Sequence, residues 1–548
     1  MLADLDLTGI QDDRARALIV RLLNLLEDQA ADLRSAQEEI QRLRDEINRL
    51  KGEQGKPDIK PNTKPPATDH SSERERRQDV ERVKRGKRAT ITINREDVAR
   101  LDPALLPPDA EFKGYEDVVV QDIVIRTDNV LFHKEVFYSP SEHKSYRAAL
   151  PRGYCGEFGP GIKALALVLY FGCLMSEAKI RELFINVGIQ IAEGTLSNVL
   201  IKDQDTFHTE KAAVLQAGAR SSPWQQIDDT PTRVNGRNQH CQIVCNPLYT
   251  IYQTTPAKDR LTILDVLRGN QPRRFRLNAE AMAYLEQVQL AQFHQARLLL
   301  LPWDVELDEA TLNELLSRYL PQLPEQQRKW VVDALAVADY HAQTDWPVIR
   351  LLLGDDAPQW GWLTEELALC WVHEGRHYKK LTPWVAAHRM AVDAFLEQFW
   401  DLYGELLSYR EQPSAAERVR LTEAFDGLFA TTTDYWALND RIAKTRAKKE
   451  ALLLVLAHPE IPLHNNAAEL GARQRVRKRD VSFGPRTTEG AQAWDTFMSL
   501  ADTTRKLGVS FYHYIHDRIR GEQQIPPLAD LIDEQARELN LGASWATT

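Results

Sequence analysis

From residue 222 the apolar periodicity switches to strands: PWQQIDDTPTRVN, a polar turn at Gly236 to Asn238, then QHCQIVCNPLY and TIYQTT. Three short runs in succession predict an antiparallel meander, and the first of them carries Asp228 and Asp229. A largely helical stretch follows before VIRLLLGDD, an apolar run that reads as a buried strand and ends at Gly354 and a second acidic pair, Asp355 and Asp356. The apolar run LALCWVH supplies a candidate fifth strand. A second long helical region ends at Pro462, and HNNAAELGARQRVRKR then starts a helix that carries Glu469.

That order predicts an α+β chain with a ribonuclease H-like core interrupted by two helical insertions. It also gives the acids a chemical reason. Two divalent cations about 4 Å apart, one beside an attacking oxygen and one beside a leaving oxygen, must be held by carboxylates. Acids at the ends of buried strands meet that need, and magnesium favours oxygen ligands while keeping several waters. Asp228, Asp355 and Glu469 are therefore the candidate catalytic and metal-holding residues, with two Mg²⁺ or Mn²⁺ ions expected. Asp229, Asp356, Asp339 and Asp345 compete on spacing alone, because acidic pairs in loops are commonly solvated turn residues or helix caps.

The rest of the chain is modular, as 548 residues with 43% hydrophobic and 27% charged side chains require. Between residues 19 and 50, Ile19, Leu22, Leu26, Leu33, Ala36, Ile40, Leu43, Ile47 and Leu50 recur at steps of three and four, with Gln29 in one core slot. This heptad seam predicts a coiled coil and a homodimer or higher assembly; a long surface helix packed on its own domain is the alternative. Gly, Pro, Lys and Ser then dominate to residue 72, as in a flexible linker. Within residues 82–88 (RVKRGKR), Arg82, Lys84, Arg85, Lys87 and Arg88 form a candidate phosphate-contacting segment or an ordinary solvated charge run.

A net charge of -10 argues against a nucleic-acid partner unless basic side chains are concentrated locally, so such runs matter. No segment approaches a transmembrane span and the N-terminus has no signal-peptide pattern, so the expected location is cytoplasmic. Five scattered cysteines without a CxxC suggest neither a disulfide framework nor a zinc ribbon, and no zinc is expected. Short β-prone pieces between 89 and 146 (ATITIN, EDVVVQDIVI, VLFHKEVFY) suggest a small β-rich module. Residues 161–200 read as helices, with Ser176 as an N-cap; a helix-turn-helix would put Thr195, Ser197 and Asn198 at a DNA groove, and an ordinary helical hairpin fits equally.

The segments FGPGIKALALVLYFGCLMSEAKIRELFINVGIQIAEGTLSNVL, QIDDTPTRVNGRNQHCQIVCN, LLLGDDAPQW, LCWVHEGRHYKKL and PLHNNAAELGARQRVRKRDVSFGPRTTEGAQAWDTFMSL together resemble bacterial transposases of the insertion-sequence-66 family, over about residues 150–515. The resemblance implies an Asp-Asp-Glu transposase that frees 3′-OH ends and joins them to target DNA. It places the first acid at Asp228 before Asp229 and Thr230, and the second at Asp355 ahead of a Cys-x-x-His element, Cys370 and His373. The third falls in Asn-Asn-x-Ala-Glu, here Asn465, Asn466, Ala468 and Glu469. The chain departs from the family pattern at His464 and Leu470, and residues 52–150 lack the cysteine motif that the family often carries.

His373 and Arg376 are candidate phosphate contacts, Cys370, His373 and His377 lack an evident fourth metal ligand, and Arg473, Arg475, Arg477, Lys478 and Arg479 are expected to face the DNA backbone. Double-stranded DNA, both transposon ends and target, is the expected partner, with accessory transposition proteins possible in such systems and no membrane. A domesticated, inactive DNA-binding protein and a metal-dependent nuclease without strand transfer are the rival functions. The resulting division is a coiled coil (12–51), a flexible basic linker (52–88), a β-rich module (89–150) and a helical region (151–221). The catalytic domain (222–515), with insertions near 270–345 and 378–460, and a C-terminal tail (516–548) complete it.

Overall fold

The computed structural model describes residues 12–50, 92–107, 109–154 and 156–547. The whole linker, with Arg82, Lys84, Arg85, Lys87 and Arg88, and also Cys155 lie outside the described residues. The heptad segment is one helix, α1 (Asp13–Leu50), opened by Asp12, whose carboxylate accepts from the amides of Arg14 and Ala15. In the described part of 89–150, regular structure is confined to a short turn at Pro103–Leu105 and a hairpin of β1 (Val136–Ser139) and β2 (Lys144–Arg147). The β-rich module expected there is thus much smaller than its β-propensity suggests. Strand pairing needs a facing layer to bury alternate side chains, and Val118, Val120 and Ile123 find none, remaining exposed.

Helices α2 (Pro160–Leu167), α3 (Glu177–Asn186), α4 (Glu193–Ile201) and α5 (Asp205–Arg220) follow. Ser176 caps α3 as its sequence position predicts, its hydroxyl accepting from Lys179 N at 3.4 Å. Leu196 and Leu200 bury one face of α4, which leaves Asn198 exposed and Thr195 and Ser197 half-buried.

The meander is β3 (Trp224–Val234), β4 (Arg237–Cys245) and β5 (Thr250–Thr255), antiparallel throughout. Two later strands, β8 (Leu351–Gly354) and β9 (Glu366–Leu369), add in parallel on the far side of β3, giving the order β5-β4-β3-β8-β9. Alternation along β8 shows why its run is uniformly apolar: Leu352 enters the core shared with Ile227 and Ile243, while Leu351 and Leu353 enter a second core with Trp224 and Trp371.

Between β5 and β8 lie α6 (Arg260–Leu267), β6 (Arg274–Arg276), α7 (Ala279–Gln287), α8 (Gln292–Leu298), β7 (Glu306–Asp308), α9 (Glu309–Tyr319) and α10 (Glu325–Ala342). The first insertion is therefore helical around a two-stranded ribbon, β6 with β7. After β9 come α11 (Trp371–Lys379), α12 (Ala386–Glu411), α13 (Ala415–Leu428), α14 (Trp436–Arg446) and α15 (Lys449–Leu452), joined around Phe399, Tyr403, Phe425 and Phe429. Then α16 (Asn466–Ser482) crosses the sheet beside α17 (Thr488–Lys506).

The segment expected as a C-terminal tail belongs to the fold. The chain continues through α18 (Phe511–Arg520) and α19 (Leu528–Leu539), burying Leu528 and Ile532, and Leu541 O accepts from the Trp224 indole at 2.7 Å. Among the described residues no helix is long and apolar enough to cross a membrane.

Candidate active site

The parallel register pairs Gln226 of β3 with Leu353 of β8, so two residues further on Asp228, inside β3, and Asp355, just beyond the end of β8, reach the same level. Asn465 fixes the third element: its side-chain amide donates to Ile227 O at 2.7 Å and its backbone N–H to Cys370 Sγ at 3.3 Å. Gly471 lets α16 settle on the sheet, because a Cβ there would come within 2.9 Å of Ile243 and 3.3 Å of the Tyr252 hydroxyl. The first turn of α16 thereby carries Glu469 over the strand ends. Asp228, Glu469, His373, Arg376, Arg473 and Arg477 line one open cavity of about 370 Å³.

The electrostatics separate the acids. Asp228 is pushed up to about 7, first by burial and then by the like charges of Asp355, Glu469 and Asp229, although its Oδ1 accepts from the Asp229 amide at 2.8 Å. Burial, the largest single influence on Glu469, would raise it. Hydrogen bonds from His373 and Arg376 together prevail and hold it at about 2. Arg376 grips both carboxylate oxygens at 3.2 and 3.1 Å, with His373 Nδ1 at 3.4 Å and Arg473 at 3.7 Å. His373 is pushed up to about 10, first by Cys370 and then by Glu469. Asp355 is oriented by the Trp360 indole, which donates to Oδ1 at 2.6 Å.

The competing acids are engaged elsewhere. Asp229 turns toward Lys258 (3.4 Å) and His240 (3.6 Å), and Asp356 pairs with Lys448. Asp339 is buried between Arg268 and Arg276, and Asp345 meets Arg274. Among the described residues, Cys370, His373 and Glu469 form the group whose ligand atoms lie within 4.8 Å of one another; His377 is not part of it.

Residues 363–493 match the Transposase IS66 family. The chain is also 31% identical, over 339 residues, to the Uncharacterized protein y4jO of Sinorhizobium fredii, covering all of that protein and 59% of this chain. The chain belongs to the IS66 family of transposases.

In this IS66-family chain the basic run on α16 divides by helical face. Arg473 and Arg477 are exposed beside the cavity, as expected. Arg475 and Lys478 are not, and their assignment to the DNA backbone is corrected. Arg475 is 1% exposed, paired with Asp495 at 3.1 Å and bonded to the Thr254 hydroxyl at 2.7 Å. Lys478 is fully buried, its ammonium 3.0 Å from the Tyr170 ring centre and donating to Met175 O; burial above all pushes it down to about 6. Arg479 is partly covered and donates to Pro231 O.

Sequence reasoning placed Asn465 in the motif around Glu469 without its anchoring role, and it missed the work of Trp360 and Gly471, of which Gly471 left a signal as a glycine inside a helical pattern.

Proposed function

We propose that this protein is a transposase of the Asp-Asp-Glu type, with a ribonuclease H-like core, which cuts transposon ends and joins the freed 3′-OH groups to target DNA. The observation that carries the reading is Asp228 of β3, pushed up to about 7 by burial and by the nearby charges of Asp355, just after β8, and of Glu469 on α16, which lines the same cavity. The strand order, three antiparallel and two added in parallel beside the first, supports the ribonuclease H-like reading. An all-oxygen set of crowded acids suits hard divalent cations, so Asp228, Asp355 and Glu469 would hold two Mg²⁺ or Mn²⁺ ions. Bound there, such ions supply a polarised attacking oxygen and a stabilised leaving oxygen.

The chain's own residues do the rest. Trp360 and the Asp229 amide orient Asp355 and Asp228. Arg376 and His373 neutralise Glu469 and line the same cavity, where their N–H groups would hold a scissile phosphate beside the carboxylates. Arg473 and Arg477 extend the cationic wall for the DNA backbone, and Asn198, with Thr195 and Ser197 beside it, offers a polar helix face for a groove.

Asp228→Ala, Asp355→Ala and Glu469→Ala are each expected to abolish Mg²⁺-dependent cleavage and strand transfer while leaving DNA binding largely intact. Asp229→Ala and Asp356→Ala are expected to be milder. Full activity in Glu469→Ala, or a dead Asp229→Ala beside an active Asp228→Ala, would overturn the assignment. Cleavage without any strand-transfer product would reduce the function to that of a nuclease.

A further inference from the structure

At 91% exposure, Phe483 is the most exposed large hydrophobic side chain among the described residues, and it is not on a loose loop. It ends α16 in the left-handed region at φ 58°, its N–H donating to Arg479 O at 2.7 Å. The next residue, Gly484 (φ 86°), packs so tightly that a Cβ would lie 2.9 Å from Arg233 O, and Pro485 O accepts from Asn235 N at 3.1 Å. Phe483 is thus a ring held outward on a turn clamped to the β3–β4 hairpin. For a bulky side chain this backbone region is strained, and such positions persist where the surroundings enforce them.

The surroundings are cationic. Arg477 and Arg486 are exposed on either side of it in sequence, Arg479 is half-buried, and Arg233 and Arg237 flank the hairpin turn; of the acids around them, Asp480 lies 3.8 Å from Arg479, Glu177 interacts with Arg486, and Glu489 is exposed. The position is also in line with the site. Phe483 follows Glu469 by fourteen residues, which at about 1.5 Å per residue puts this end of α16 about 21 Å from Glu469 along the helix axis. At about 3.4 Å per base pair that is roughly six base pairs of duplex.

We infer that Phe483 is a nucleobase-stacking residue, which takes up an unstacked or unpaired base about six base pairs from the scissile phosphate while the neighbouring arginines hold the backbone. This rests on the transposase reading above. An aromatic ring wedged at an opened base step holds DNA without reading its sequence, since every base offers a face for stacking. Holding the strand open at a fixed distance from the carboxylates would register the DNA on the enzyme.

The test uses the full chain and two short mixed-sequence duplexes, one fully paired and one with a single bulged 2-aminopurine. The wild-type protein is expected to quench the 2-aminopurine and to bind the bulged duplex about tenfold more tightly than the paired one. Phe483→Ala should lose the quenching and the preference while binding the paired duplex as before; Phe483→Trp should keep both and Phe483→Leu should not. Being exposed, the position tolerates all three changes in folding. A Phe483→Ala protein that still quenches and still prefers the bulge overturns the inference, as does one altered in self-association alone. A wild-type protein that binds the paired duplex and shows no preference removes this inference only, whereas one that binds neither removes the transposase reading as well.

Discussion

Asp228 shows what the site costs the fold. Its carboxyl titrates near 7, against about 3.9 in an unfolded chain. Between those values the folded protein holds a proton that the unfolded chain has released. Stability therefore falls as pH rises through this window, carrying no penalty below it and the full penalty above. A three-unit shift corresponds to about 4 kcal/mol, and Asp228→Asn removes that charge. In chelator at pH 8 the variant is expected to be more stable than wild type by about 2–4 kcal/mol in urea unfolding, with the gap closing toward pH 4. Equal or lower stability at pH 8 would show that the acids do not crowd one another in solution. Asp355 and Glu469 could be singled out as candidates because one ends an apolar run and the other opens a helix, whereas Asp228, beside Asp229 in the mixed run QQIDDT, was chosen through the resemblance. The clamp on Glu469 was not legible in the sequence, since Arg376 lies 93 positions away and only the fold brings it near.

Helix α16 carries its chemistry on one face and its anchorage on the other, and the sequence RQRVRKR does not say which is which. The one apolar residue of the run, Val476, does not mark the inward side, since it lines the open cavity with Arg473 and Arg477. The fold turns Arg475 and Lys478 inward, three positions apart, and Arg473 and Arg477 outward, four apart. The Arg475–Asp495 pair also engages Thr254, so it joins α16, α17 and β5. Arg475→Ala would leave Asp495 buried without its charge partner, a loss of about 3–5 kcal/mol. That variant should therefore lose DNA binding and its unfolding transition together. Arg473→Ala/Arg477→Ala should stay folded and lower the slope of log affinity against log salt by about two, near 0.9 for each phosphate that is no longer neutralised. An unchanged slope would assign both arginines to surface solvation, and a normally stable Arg475→Ala would show the buried pair to be dispensable. The strand order, by contrast, could be read from succession alone: β3, β4 and β5 are separated by turns too short for anything but antiparallel pairing, and β8 is apolar on both faces.

At the scale of the whole molecule, α1 bears on assembly through two separate faces. On one face, Glu27 accepts from the amides of Trp384 and Val385 at the start of α12, and Asn24 accepts from Trp436 N at the start of α14; both are buried, beside Leu23. Side chains from α1 thus satisfy the free N–H groups of two distant helices, which fixes α1 to the body of the same chain. Beyond Ile19, which packs beside Leu23 and Val385, the heptad seam is a different face: Leu22, Leu26, Leu33, Ile40, Leu43 and Ile47 are all about half exposed. Packing on its own domain and pairing with a second helix, alternatives in the sequence, are thus compatible here. A seam of this length left to water favours a second copy, and two copies would bring two sites to two ends. Replacing Leu26, Leu33 and Ile40 with Asp should therefore reduce the sedimenting mass to that of one chain while leaving the unfolding transition in place, because the Glu27 and Asn24 contacts are untouched. Synapsis of two labelled end fragments should be lost with it. If the triple variant keeps the wild-type mass, the seam is not the interface and the two ends must be paired through another surface of the protein.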